Sequence, residues 1–204
     1  MVTACRDRLG VAGFKKRSGE IFTVDVANDV LGWLGLNRAV GRSDGLLEIN
    51  PVVGVRHQAV ERLVAELKGE KFHAYIPPTI SLHVGYLMPE KRYHPWLFSE
   101  SNVAETADAL VSAVETYGVA FMKQHSVLDA LAGLMASGEV GIREQLSYRL
   151  PIAYHLLGDD DRARGTLTSA LEDLGERRDV AAERFHAFAA ALETRFSAGA
   201  TPKR

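Results

Sequence analysis

Apolar and polar positions along this chain follow two periods, and the change falls near residue 100. In the first part the period is two. Across Ile21–Ala27, Phe22, Val24 and Val26 face one way and Thr23 and Asp25 the other, the pattern of a half-buried strand. Asn28 and Asp29 tolerate the left-handed backbone of a tight hairpin turn. A second strand is predicted in Leu31–Val40, where Gly32 and Gly35 mark a bulge or a close approach. Gly41–Gly45 is a turn signal. Leu46–Val53 reads as a third strand, and Pro51 places its end on a sheet edge. Helical spacing then appears after His57. Val60, Leu63, Val64 and Leu67 recur at three- and four-residue steps, and Gly69 closes the segment. A fourth strand follows, with Ile80, Leu82, Val84 and Tyr86 on one face and Ser81, His83 and Gly85 on the other. A short helix from Val2 to Leu9 and a linker over 11–19 precede these strands.

Beyond residue 100 the spacing is helical throughout. Asn102 and Glu105 have the form of a capping box. They open a helix carrying Val103, Leu110, Val111, Val114 and Tyr117, which Gly118 ends or kinks. Leu146, Leu150, Ala153 and Leu157 form a further stripe that stops at Gly158. Asp159–Asp161 cap the next helix, whose stripe is Ala163, Leu167, Ala170, Leu171 and Leu174. Asp179 caps the last one, with Ala181, Phe185, Phe188, Leu192 and Phe196 along one side.

These patterns predict an α+β fold: a small, mainly antiparallel four-stranded sheet with helices packed on one face, followed by an α-helical C-terminal half. The sheet-rich half is expected over 1–100 and the helical half over 101–196, as one cooperative domain with a disordered tail over 197–204. Composition supports the division. Ten glycines precede Pro89 and five prolines lie between Pro51 and Pro95, whereas residues 101–196 hold one proline and are rich in Ala, Leu and Glu.

Charge narrows the partner class. Lys and Arg number 24 against 26 Asp and Glu, for a net charge of −2. Such a balance disfavours nucleic acid and anionic membranes. The single cysteine, Cys5, permits no intrachain disulfide. Together with the absence of a secretory pattern in the first residues and of a long apolar run, this makes the cytoplasm the expected compartment.

Two segments carry resemblances. The order LGVAGFKKRSGEIFTV, a Trp-containing second strand, EINPVVGVRH running into a helix, PTISLHVGYL and a late Tyr117-Gly118 resembles the bacterial domain-of-unknown-function 4304 family over roughly residues 5–135. That family has no assigned catalytic residues, so the resemblance implies none here. In AYHLLGDDDRARGTLTSALE, Tyr154, Gly158, Ala163, Ala170 and Leu171 sit where a tetratricopeptide hairpin places its aromatic, its turn glycine and its small packing residues, near 146–174. Three or more repeats normally build a groove. One repeat is expected only to close a core.

Candidate chemistry is sparse. Lys15, Lys16 and Arg17 form the densest basic run, able to meet phosphate or an acidic partner but equally a solvated linker. Lys91–Phe98 gathers Arg92, Tyr93, His94 and Trp96 on a Pro-bounded loop. Arg and aromatics of this kind suit protein interfaces, although Trp96 is expected in the core. An alternative polar site would join His57, His83 and Glu48, with His94 nearby. No HxxxH or HExxH spacing points to a metal, and no GxSxG, GxxxxGK[ST] or GxGxxG segment points to a nucleophile, a nucleotide or a dinucleotide. No cofactor is expected. The sequence therefore favours a non-enzymatic protein-binding or accessory protein, of immunity or regulatory type. A small enzyme using a histidine/carboxylate site on the sheet and a weak nucleic-acid binder are the alternatives.

Overall fold

A computed structural model describes residues 2–39 and 46–199. It is α+β, and the chain divides into two compact units. The first comprises 1–57 and 75–127, and the second comprises 58–74 and 128–204.

The first unit holds an antiparallel sheet of six strands rather than the expected four. The strands are β1 (Lys15–Lys16), β2 (Ile21–Ala27), β3 (Val30–Ala39), β4 (Leu47–His57), β5 (Ile80–His83) and β6 (Trp96–Phe98). Their order is β1-β2-β3-β4-β5, with β6 also pairing β4. The two additional strands are short. Lys15–Lys16 lies in the expected linker and pairs with Phe22–Thr23, and Trp96–Phe98 lies in the expected loop and pairs with Leu47–Ile49.

Pro51 is interior to β4, not at its end, and the register explains how it is tolerated. Leu36 pairs with Pro51, yet the Leu36 amide donates to the Glu20 carbonyl on the β2 side. In antiparallel pairing both backbone groups of a residue point the same way, so Pro51 directs its missing donor away from β3. On that side β5 pairs only Val52–Val55 and β6 only Leu47–Ile49, so no ladder bond is lost at Pro51.

One face of this sheet carries Phe22, Leu34, Leu36, Ile49, Val53, Val55, Ile80, Trp96 and Phe98, all buried. Helices α1 (Val2–Val11), α3 (Val103–Ala113) and α4 (Val119–Gln124) belong to the same unit. A π-helical turn, Val114–Gly118, joins α3 to α4, which is how the expected kink at Gly118 is realised. The close approach read at the strand glycines is present. A Cβ on Gly32 would lie 2.6 Å from the Met122 sulfur, and one on Gly118 would lie 2.9 Å from Val53. At Gly54 a Cβ would overlap the Ile80 carbonyl oxygen, which is backbone and cannot turn aside. Gly54→Ala is therefore expected to destabilise the first unit by about 1–3 kcal/mol, measured by chemical denaturation; a loss under about 0.5 kcal/mol would contradict the packing.

Other local expectations are corrected. The fourth strand stops at His83 and continues as a 3-10 turn, Val84–Tyr86, which buries Val84 but leaves Tyr86 half exposed. Asn102 does not cap α3 with its side chain. Its Oδ1 instead accepts from the Ser99 amide and its Nδ2 donates to the Leu97 carbonyl, fastening the end of β6. Cys5 is buried, and burial pushes its thiol above the ordinary range.

The second unit is helical: α2 (Gln58–Leu67), α5 (Leu128–Ser137), α6 (Arg143–Leu156), α7 (Asp160–Leu174) and α8 (Val180–Gly199). Phe185, Phe188, Leu192 and Phe196 are buried along α8 as their spacing predicts, with Ala182 rather than Ala181 continuing the face. Helix α8 runs through Ser197–Gly199, and 200–204 of the expected tail lie outside the described residues. The hairpin at 146–174 forms α6 and α7, with Gly158 at positive φ between them. No helix among the described residues is long and apolar enough to cross a membrane.

Both expected aspartate caps form. Asp159 Oδ1 accepts from the Arg162 amide, and Asp179 Oδ1 accepts from the Ala181 and Ala182 amides. These backbone donors, with the Arg162 and Arg177 side chains, hold both carboxyls below the usual carboxylate range. A depressed folded-state pKa stabilises above the unfolded-state value, and the contribution is lost as pH falls through the folded-state value. The double variant Asp159→Asn/Asp179→Asn is expected to melt below the wild type at neutral pH, with the gap narrowing as pH falls below the ordinary carboxylate range. A gap independent of pH, followed by circular dichroism, would contradict this.

Candidate functional site

The second face of the sheet in the first unit is polar. Strand β4 is read in continuous register with β3 from Leu47's neighbour Glu48 to His57, so alternate residues share a face. Ile49, Pro51, Val53 and Val55 face the apolar side. Glu48, Asn50, Val52, Gly54 and Arg56 face the other. Register adds Trp33 opposite Gly54, His83 opposite Val52, and Thr23 opposite Trp33. Gly35 leaves room for Trp33, whose indole edge would meet a Cβ there at 2.6 Å.

One end of this face is closed by its own chain. Arg17 Nε donates to Thr23 Oγ1 at 2.8 Å, and its guanidinium lies 5.8 Å from the centre of the Tyr75 ring. Arg56, almost wholly buried, donates Nη1 to the Pro77 carbonyl, and Pro78 lies against Gly54. The Ile76-Pro77 peptide bond in this segment is cis.

At the other end Glu48 is 9% exposed and Asn50 is 7% exposed. Glu48 Oε1 accepts from the Tyr93 hydroxyl at 2.7 Å and from Asn50 Nδ2 at 3.1 Å. The His83 ring meets Tyr93 edge-on with centroids 5.6 Å apart and Tyr86 with centroids 6.3 Å apart. Tyr86 is 48% exposed and Tyr93 45%. The backbone holds the loop that carries them: the Arg92 amide donates to the Gly85 carbonyl at 3.2 Å, and a Cβ on Gly85 would overlap the Arg92 carbonyl oxygen. Two buried polar atoms on this face, Asn50 Oδ1 and Trp33 Nε1, have no hydrogen-bond partner among the described residues.

The residues singled out in the sequence fall in different places. Glu48 and His83 share the polar face and are linked through Tyr93. His57 does not join them. It lies nine residues from Glu48 along β4, about 30 Å, and an odd step puts it on the opposite face; its backbone amide donates to Thr79 Oγ1. His94 packs its ring on Trp96 with centroids 4.6 Å apart, and Trp96 is buried, as expected. Lys15 is bound to Asp25 at 2.8 Å, a contact that lowers the Asp25 pKa, and Arg17 is turned onto Thr23, while Lys16 is exposed. Arg92 is exposed beside Tyr93. Sequence reasoning passed over Asn50, Trp33 and the part played by Tyr86. A signal for Asn50 was present, because Glu48 and Asn50 alternate with Ile49 and Pro51. Among the described residues no three His, Cys, Asp or Glu side chains converge on a metal-sized site.

No family model, no curated protein and no solved structure matches the chain. The polar face itself therefore carries the functional reading.

Proposed function

We propose that this chain is a recognition protein, and that the His83, Tyr86, Arg92 and Tyr93 surface of the first unit binds another protein. The observation that supports this is the set of two half-exposed tyrosines packed edge-on against one histidine, with Tyr93 tied to the buried Glu48. Tyr and Arg supply most of the energy of protein interfaces because they offer large contact area at low entropic cost. Rings already fixed by packing and by a hydrogen bond lose less freedom on binding. This surface keeps Arg92 and Tyr93 from the sequence reading and adds Tyr86 and His83, while His94 serves Trp96. The enzyme alternative keeps a carboxylate and one histidine, on either side of Tyr93: its hydroxyl donates to Glu48 and its ring meets His83 edge-on. The nucleic-acid alternative is weakened by the pairing of Lys15 with Asp25.

The test compares capture from an extract of the native host by the wild type and by Tyr86→Ala/Arg92→Ala. Both positions are exposed or half exposed, so the thermal midpoint should stay nearly unchanged. A species held by the wild type is expected to be lost at least about tenfold from the variant. Equal retention of that species would contradict the proposal.

A further inference from the structure

We infer that the second unit holds a ligand site: a cleft lined by α5, α6 and α7 that takes a small, uncharged molecule with an apolar body and an amide group. The site belongs to the helical unit and does not depend on the surface proposed for the first.

The cleft has a volume of about 480 Å³, and small-molecule sites run from about 300 to 1,000 Å³. Met135 of α5 and Leu146, Leu150 and Pro151 of α6 give it apolar walls. Hydrocarbon is favoured against such surface, and this sets the body of the ligand. Gly165, in the middle of α7, keeps the α7 wall open, because a Cβ there would meet no neighbouring atom within 4 Å.

Charge excludes ions. Arg143 and Asp173 are the charged residues of the lining, and they pair with each other from α6 to α7. The lining therefore has no net charge, and each of its charges already has a counterion. A charged ligand would lose hydration without gaining a free partner.

The hydroxyls select the polar group. A hydroxyl has one hydrogen and two lone pairs. Ser147 Oγ donates its hydrogen to the Arg143 carbonyl at 3.1 Å. Thr166 Oγ1 shares its hydrogen between the Arg162 and Ala163 carbonyls, at 3.0 and 2.9 Å. Both oxygens offer the cleft only lone pairs, so a ligand meets them with N–H or O–H. The exposed Ser169 hydroxyl has no hydrogen-bond partner among the described residues and keeps its hydrogen to give. A primary amide answers both needs, with two N–H donors and a carbonyl acceptor. An ester of the same shape keeps the carbonyl and loses the donors.

The experiment titrates the full-length chain, labelled at its Met and Leu methyl groups, with 3-phenylpropanamide, its methyl ester counterpart and its carboxylate counterpart. The Met135 and Leu150 signals are followed by NMR. They are expected to move saturably with the amide at millimolar concentration, the range that suits a ligand of this size. The ester should bind at least about tenfold more weakly, and the carboxylate should leave the signals in place. Gly165→Leu fills the open wall and should abolish the amide response. Gly133→Leu makes the same change at an exposed position of α5 that has equal space and does not line the cleft, and should leave the response intact. Ser147→Ala/Thr166→Val removes the two acceptors and should bring the amide down to the affinity of the ester. No saturable response to the amide, equal or tighter binding of the ester, an unchanged response in Gly165→Leu, or an unchanged amide preference in the double variant overturns the inference. The wild-type comparison of amide with ester decides even if a variant fails to fold.

Discussion

Arg149→Ala is expected to destabilise the helical unit by about 3–5 kcal/mol. Arg149 on α6 and Glu61 on α2 are both 6% exposed at the side chain. Arg149 donates Nε to Glu61 Oε1 at 2.8 Å and Nη2 to Oε2 at 3.3 Å, and its Nη1 reaches Gln145 Oε1 at 2.6 Å. Removing the guanidinium leaves a buried carboxylate without the fork that neutralises it, and such a charge costs several kcal/mol. Desolvation has already offset much of the pair's attraction, so replacing both partners behaves differently. The double variant Arg149→Met/Glu61→Leu should lie far closer to the wild type than either single change, and can exceed it. Urea denaturation of the three proteins measures the difference. A double variant as unstable as the sum of the two single variants would contradict the account.

Phe188→Ala should cost a similar amount, about 3–5 kcal/mol, for a different reason. Phe188 is fully buried on α8, with the Tyr148 ring edge-on at 4.8 Å and the Phe185 ring stacked at 6.0 Å. Truncation removes apolar area and leaves a cavity walled by stiff rings that cannot collapse into it. Phe188→Leu, which fills more of that space, should lose clearly less. A Phe188→Ala loss below about 1 kcal/mol would mean that this face of α8 is not core.

The contrast between these two sites shows what the sequence disclosed. The α8 stripe was legible because four large apolar residues recur at helical spacing, and burial follows from that spacing alone. The Arg149–Glu61 pair was not, because its members stand 88 positions apart and each reads as an ordinary surface charge on its own helix. The same limit applies to α2. Its stripe of Val60, Leu63 and Val64 announced a buried face, but periodicity names no partner, and α2 groups with the C-terminal helices.

In the sheet, β2 was legible because apolar and polar residues alternate along it, and β3 because an apolar run marked by Gly32 and Gly35 follows the Asn28-Asp29 turn. The two- and three-residue strands β1 and β6 carry no period of their own and exist through their pairing with β2 and β4. Proline misled the reading of β4, because whether a missing donor matters depends on which neighbours reach it. The candidate site was legible in part. Tyr93, Arg92, His83 and Glu48 stood out by residue type, but their grouping is a product of register. A step of one residue in β4 would send Glu48 and Asn50 to the apolar face. His57 shows the converse, a plausible third member removed by an odd number of residues.

Photocrosslinking tests the central claim, that the tyrosine–histidine surface is where a partner protein sits, most directly. A benzoylphenylalanine placed at Tyr86 is compared with the same residue at Val11, a 92% exposed position on α1 of the same unit. Irradiation in the native host should yield a discrete higher-mass adduct from position 86, abolished by Arg92→Ala, and none of that mass from position 11. The same adduct from both positions, or an adduct from 86 that persists in Arg92→Ala, would contradict the account.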